Sequence, residues 1–291
     1  MNEFLQGVIT LISGKTQNLG IIGYPIEHTL SPLMHTAALK AAGLDCAYIA
    51  LSVPPGRLVP ALEGLRALYF RGWNVTIPHK STIIQFLDAI DPDAKLIGAV
   101  NTVVNDGGAI TGYNTDVLGF SMSLVDAGFI LDECRAVVLG AGGAARAVTW
   151  ALCKRRADIT IGARNPSKAS VLATDFAKFS SLNVFDWHSD EFKERLEQAD
   201  IIINTTPLGM SPKVDDMPPV DLSLLPKGAL VYDLVYSPAK TKFLLKAEEL
   251  GYPTLNGETM LAHQGAESFR LFTGVETDAK IMLDAVREAL S

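Results

Sequence analysis

The chain has 291 residues, 48% of them hydrophobic, which is enough material for two cores and suggests two domains. A net charge of −7 argues against a nucleic-acid surface, which would need a basic patch. The three cysteines, Cys46, Cys134 and Cys153, are too scattered for a disulfide framework or a metal site, so no metal is expected and a reducing cytoplasm is the natural setting.

In chain order, the apolar residues from Phe4 to Ile12 lack the basic start and small-residue cleavage site of a signal peptide, and are expected to form a leader strand or helix on the first domain. Leu19 to Gly23 is a short apolar run ended by Tyr24-Pro25, which predicts a buried strand and a turn. Ser31-Pro32 predicts a helix with Ser31 as N-cap, Pro32 at its first position and Gly43 as its stop. A strand over Ala47 to Val53, a helix over Pro60 to Tyr69 and a strand over Gly72 to Ile77 follow. A helix is then predicted from Ser81 to Ile90, and a hairpin pairs Val100–Val104 with Ala109–Gly112 around Asn105-Asp106-Gly107-Gly108. After Asn114-Thr115-Asp116 the pattern becomes regular. A helix from Val117 to Ala127 precedes a strand from Arg135 to Leu139, a glycine turn, a helix to Lys154 and a strand over Ile159–Ile161. A helix near Lys168 to Phe179 and strands at Ile201–Ile203 and Ala229–Tyr232 complete the run. Strands alternating with crossover helices predict a parallel, doubly wound sheet. A last helix from Glu258 is expected to return to the first domain, because the second already has its complement of elements. No apolar run exceeds strand length, so no membrane span is expected.

The glycine turn carries the clearest chemistry. Gly140-x-Gly142-x-x-Ala145 lies between an apolar strand and a helix, the context a dinucleotide site requires. The first glycine permits the tight turn, the second lets backbone approach a pyrophosphate, and helix N–H groups hold the phosphates. At the end of the next strand an NAD site usually offers an acid for the ribose 2′-hydroxyl. Here Arg164 stands there, with Lys168 one helical turn on, which suits a 2′-phosphate and points to NADP. The plain alternative is a solvated arginine opening a helix.

In the first half, Lys80 closes the segment Asn74-Val75-Thr76-Ile77-Pro78-His79-Lys80, and Asp116 stands at the domain junction. Reducing a ketone by hydride requires a proton for the developing alkoxide, and a lysine fixed by a carboxylate can deliver it. Spacing alone does not pair these two residues. His28, His35, His79, His188 and His263 have no metal-ligand spacing, His79 reads as turn packing, and Trp73 and Trp150 read as core. Gly-x-Ser-x-Gly is absent, so there is no hydrolase nucleophile elbow.

From Thr16 to Gly274 the chain resembles the shikimate dehydrogenase family. The matching segments are Gly23 to Pro32, Asn74 to Lys80, Gly98 to Val103, Gly112 to Asp116, the glycine turn, Asn204 to Met210, Tyr232 to Tyr236 and Gly257 to Gln264. Each is weakly diagnostic; together, in the family's order, they are specific. The resemblance implies an α/β fold with an N-terminal substrate domain over residues 1–115. A Rossmann-type NADP domain would span 116–256, with the C-terminal helices of 257–291 packing back on the first. It implies reversible NADPH-dependent reduction of 3-dehydroshikimate to shikimate, a step toward aromatic amino acids, in a cleft between the domains.

By the same resemblance, Lys80 and Asp116 form the catalytic pair. Thr29 and Ser31 match two hydroxyls that bind the substrate carboxylate, and Asn74, Thr76, Asn101, Tyr236 and Gln264 match further substrate contacts. Gly140, Ala141, Gly142, Gly143 and Ala144 match the cofactor turn. Ala163, Arg164, Asn165 and Lys168 match the 2′-phosphate segment, and Leu234 and Gly257 match positions near the nicotinamide. The expected partners are therefore small molecules, with no nucleic acid and no membrane; a homodimer stays open, because no interface pattern stands apart from the core. The chain departs from the family in three respects. Thr29 stands where serine is common, and Ala163, Asn165 and Lys168 replace Asn, Thr and Arg of many NADP-specific members. The leader before Thr16 is also longer. Two alternatives follow: a quinate or dual-specificity dehydrogenase using NAD, which an acid after the second nucleotide-domain strand would favour, and a non-catalytic ligand sensor on the same fold.

Overall fold

A computed structural model describes residues 12–290; the leader predicted from Phe4 therefore falls almost wholly outside the described residues. The first part builds β1 (Gln17–Gly23), α1 (Ser31–Ala41), β2 (Cys46–Ser52), α2 (Leu58–Ala67), β3 (Gly72–Val75), β4 (Ala89–Ile90), α3 (Pro92–Ile97), β5 (Thr102–Asp106) and β6 (Ala109–Tyr113). These strands form a mixed six-stranded sheet in the order β2-β1-β3-β5-β6-β4. The β5–β6 hairpin is antiparallel, as the Asn-Asp-Gly-Gly turn predicts, with Asp106 opposite Ala109.

After α4 (Asp116–Asp126) come β7 (Arg135–Leu139), α5 (Gly143–Lys154), β8 (Asp158–Ala163), α6 (Pro166–Phe176), β9 (Leu182–Asp186) and α7 (Asp190–Leu196). They are followed by β10 (Ile201–Asn204), β11 (Leu230–Asp233), α8 (Lys242–Glu249) and β12 (Thr254–Leu255). The second sheet is parallel throughout, in the order β12-β11-β10-β7-β8-β9. This is the doubly wound arrangement expected, and its order reverses between β7 and β10. Helices cover both faces, so its strands are apolar on both sides. Ala136 and Val138 of β7 point into the core under α4, α5 and α6, while Val137 and Leu139 join the one under α7 and α8.

The chain closes with α9 (Glu258–Thr273) and α10 (Ala279–Leu290). Phe269, Phe272, Met282 and Val286 pack with Leu19, Met34, Ala38 and Tyr48, so the C-terminal helices do return to the first sheet. Trp73 and Trp150 are core residues and the three cysteines are free, as expected. No helix among the described residues is long and apolar enough to cross a membrane.

Three expectations are corrected. Ser81 to Ile90 is not a helix: a 3-10 turn over Thr82–Phe86 gives way to β4. The β-branched run Thr82-Ile83-Ile84 weakens an α-helix, and Asp88 and Asp91 donate backbone N–H to Ile110 and Gly112 at the sheet edge. Ser31 is not the N-cap of α1; Leu30 occupies that position without a side-chain cap bond, and Ser31 is already helical. Finally α3, β9, α7, α8 and β12 were not anticipated.

Candidate active site

The site lies where the carboxyl ends of β7 and β8 face the segments after β3 and β6. Lys80 ends the loop after β3. His79 anchors that loop as turn packing, buried with its Nε2 2.6 Å from the Val53 carbonyl oxygen. Asp116 is the first residue of α4, and its backbone N–H donates to Asn114 Oδ1 at 3.0 Å, while Asn114 Nδ2 donates to the Ala99 carbonyl. These bonds bring together two residues that spacing could not pair. Lys80 Nζ donates to Asp116 Oδ2 at 2.6 Å, with the lysine side chain 18% exposed and the carboxylate 6%. A charge-assisted bond in such a shielded place fixes both side chains. Asn101 Nδ2 donates to the other oxygen, Asp116 Oδ1, at 2.8 Å and lies 3.3 Å from Gln264 Oε1. Asn101 thus touches the pair directly, and Gln264 reaches it only through Asn101.

The anticipated carboxylate holders also converge. Thr29 Oγ1 donates to Ser31 Oγ at 3.1 Å, and the Tyr236 hydroxyl lies beside Thr29 and the Leu30 backbone. Burial raises the Tyr236 hydroxyl above its ordinary pKa, partly offset by Leu30 and Thr29 beside it, and so favours the neutral hydroxyl. Thr76 is half-buried. Asn74 is placed differently from expectation. It is buried, its Nδ2 donates to Asn101 O, Thr102 Oγ1 and Ser268 Oγ, and its Oδ1 accepts from the Tyr48 hydroxyl at 2.7 Å. Its amide is spent inside the protein, so Asn74 positions Asn101 rather than facing a substrate.

Tyr48, Thr102, Thr115 and Ser268 were missed. They form a buried hydroxyl network with Asn74 and Asn101, in which Thr115 Oγ1 lies 2.9 Å from Asn101 Nδ2 and 3.1 Å from Ser268 Oγ. Ser268 follows Gln264 by one helical turn on α9, a spacing that could have flagged it. Tyr48 carries no such signal, being one aromatic in an apolar strand.

The glycine turn faces Lys80. A Cβ on Gly143 would lie 3.3 Å from Lys80 Cβ and 3.8 Å from Ala99 Cβ, so the turn packs directly on the first part of the site. Gly140 adopts φ +111°, and a side chain there would meet Thr205 Oγ1 at 2.9 Å. Gly142 has open space in front of it, and α5 begins there with no side-chain cap, leaving its first N–H groups free for an anion. Ala141 and Ala144 complete the turn without bulk. At the end of β8, Arg164 and Lys168 are exposed and make no ion pair among the described residues. Ala163 is core, and Asn165 is spent capping α6 through Ser167 N–H. Gly257 lies against Leu234: a Cβ there would fall 2.0 Å from the Leu234 carbonyl oxygen, so only glycine fits. Bare glycine backbone, an uncapped helix start and two free cations fit a 2′-phosphorylated dinucleotide.

Residues 21–103 match the shikimate dehydrogenase substrate binding domain, residues 124–210 the shikimate/quinate 5-dehydrogenase family, and residues 257–287 the shikimate 5′-dehydrogenase C-terminal domain. The shikimate dehydrogenase (NADP(+)) of Moorella thermoacetica is 45% identical over 283 residues, 96% of this chain and 95% of that protein. The chain belongs to the shikimate/quinate dehydrogenase family. Among solved structures, a shikimate dehydrogenase in complex with NADP+ superposes with a TM-score of 0.89 at 40% identity, covering 97% of this chain and 98% of that one. The Thermus thermophilus enzyme in complex with NADP(H) and shikimate gives 0.85 at 37% identity, covering 94% and 100%. The family expected from the motifs is therefore the family found.

Proposed function

We infer that this chain is an NADP-dependent oxidoreductase that reversibly reduces 3-dehydroshikimate to shikimate. The observation that carries the reading is the Lys80–Asp116 pair, 2.6 Å apart, lying directly behind the glycine turn at Gly143. We read residues 1–115 with 257–291 as the substrate side and 116–256 as the nucleotide side. The turn from Gly140 to Ala144 would hold the pyrophosphate, Arg164 and Lys168 the 2′-phosphate, and Leu234 and Gly257 would border the nicotinamide. Bound NADPH supplies the hydride.

The remaining work falls to side chains. Thr29, Ser31 and Tyr236 offer hydroxyls to the substrate carboxylate, and Thr76, Asn101 and Gln264 offer donors and acceptors to its ring hydroxyls. Lys80 gives an ammonium proton to the carbonyl oxygen as that carbon gains the hydride. It is left neutral and recovers its proton from solvent. Asp116 holds the lysine in reach, and Asn101 holds Asp116.

The test is initial-rate kinetics on shikimate and quinate, each with NADP and NAD, for the wild type and Lys80→Met. The wild type should prefer shikimate with NADP; a preference for quinate with NAD would overturn the reading. Lys80→Met keeps the stem that packs on Gly143. It should lower kcat by roughly 10²–10⁴-fold, with NADP affinity retained.

A further inference from the structure

The glycine turn ends in a residue that the proposed function does not use. Arg146 lies in the first turn of α5, where a cation would ordinarily be assigned to the cofactor phosphates. Its guanidinium is committed elsewhere: Nε donates to the Ile97 carbonyl, Nη2 pairs with Asp175 of α6 at 2.7 Å, and the group lies 5.6 Å from the Phe176 ring centroid. The side chain is only 15% exposed.

The Ile97 carbonyl is one of those left without a helical partner at the end of α3. The next residue, Gly98, has φ +67°, and a Cβ on it would fall 2.7 Å from Arg146 Nη2, so a glycine is needed for this approach. The three residues after it all enter the site. Ala99 O accepts from Asn114, Val100 N–H donates to Lys80 O at 2.8 Å, and Asn101 holds Asp116. In the other direction, three residues before Arg146, Gly143 packs on Lys80. The contacts therefore close a ring: Gly143, Arg146, Ile97, Asn101, Asp116, Lys80 and back to Gly143. A second tie, Lys154 to Asp93, fastens the other end of α3 to α5.

We propose that Arg146 is a positioning residue that sets the nucleotide turn in register with the Lys80–Asp116 pair by gripping the end of α3. The inference rests on the proposed reduction, in which hydride donor and proton donor must meet one carbon, and misplacement by about 1 Å lowers rates by roughly 100-fold. Arg146→Met removes both grips while keeping much of the stem.

Wild-type turnover of shikimate is measured first; its absence would sink the functional reading, while the exchange measurement below would still decide whether Arg146 holds α3. In Arg146→Met, kcat should fall at least about tenfold while the dissociation constants of NADP and shikimate, each titrated alone, stay within about threefold. The isotope effect on kcat with shikimate deuterated at the carbon that gives up the hydride should rise, because hydride transfer becomes limiting. In the cofactor-free protein, amide exchange at Gly98 and Val100 should accelerate. A kcat within twofold of wild type, a fall with an unchanged isotope effect (a lost active fraction), or unchanged exchange would each overturn the proposal. If Arg146→Met does not fold, Arg146→Lys answers the same question, since it keeps a cation near Asp175 without the fork that also reaches Ile97.

Discussion

At the scale of single residues, His35 shows how burial sets a pH response. It lies on α1, fully buried, stacked on Tyr48 with ring centroids 4.1 Å apart and planes 2° from parallel. Neither ring nitrogen has a hydrogen-bond partner, and burial pushes its pKa down to about 3. The folded ring thus stays neutral in mild acid, whereas the unfolded one takes up a proton below about 6.5. Stability from this group is full above that pH and declines below it, by about 2 kcal/mol at pH 5. His35→Phe keeps a ring against Tyr48 and removes the titration. Denaturant unfolding at pH 7.5 and pH 5 should show the variant losing less stability than wild type between the two; an equal loss would contradict the neutral, buried histidine. Arg164 acts at the same scale but on the surface. Arg164→Ala should raise the apparent Michaelis constant for NADP about tenfold or more and leave that for NAD nearly unchanged, as measured by initial rates; an equal effect on both would rule out 2′-phosphate recognition. Arg164 could be singled out from the sequence because strand, turn and charge are local. Asn74 was misplaced because an amide's direction depends on partners far along the chain, here Tyr48 and Ser268.

Among elements, α4 and α9 cross closely beside the site. A Cβ on Gly119 of α4 would lie 2.7 Å from the Met260 carbonyl oxygen and 2.8 Å from Gln264 Cβ. Alanine is favoured over glycine in a helix by about 1 kcal/mol, but the clash is with backbone and overpacking costs about 1–3 kcal/mol. Gly119→Ala should therefore lower Tm by several degrees and, by shifting Gln264, raise the Michaelis constant for shikimate; an unchanged Tm would show that the helices part freely. Element by element, the strands β7, β8, β10 and β11 were legible because burial on both faces makes them continuous apolar runs. Short edge elements were not. β9 reads Leu-Asn-Val-Phe-Asp and is half-buried throughout, with no contrast to detect. α3 had its signals, Asp91 capping its start, Pro92 in the first turn and Gly98 at its end, but six residues leave no apolar period to notice.

For the whole molecule, the two sheets differ in how their cores are assembled. The second is nearly complete within one stretch of chain, from α4 to β12, with Ile97, Ala99 and Met260 added from outside it, and its parallel, doubly wound form could be anticipated from the alternation of strand and helix. The first is not, because Leu19, Met34 and Tyr48 bury themselves against Phe269, Phe272, Met282 and Val286. Sequence pattern hinted at that return only through a surplus helix, since contact across such a separation leaves no local trace. The return of α9 and α10 also has a meaning for synthesis. As the chain leaves the ribosome, the parallel sheet has all of its strands available once Leu255 is out, while the earlier-made sheet still lacks one face of its core. The half made second can fold first, and the half made first must wait, exposed, for the last helices. Gln264 arrives with them, so the pocket around Lys80 is among the last features of a newborn molecule to form.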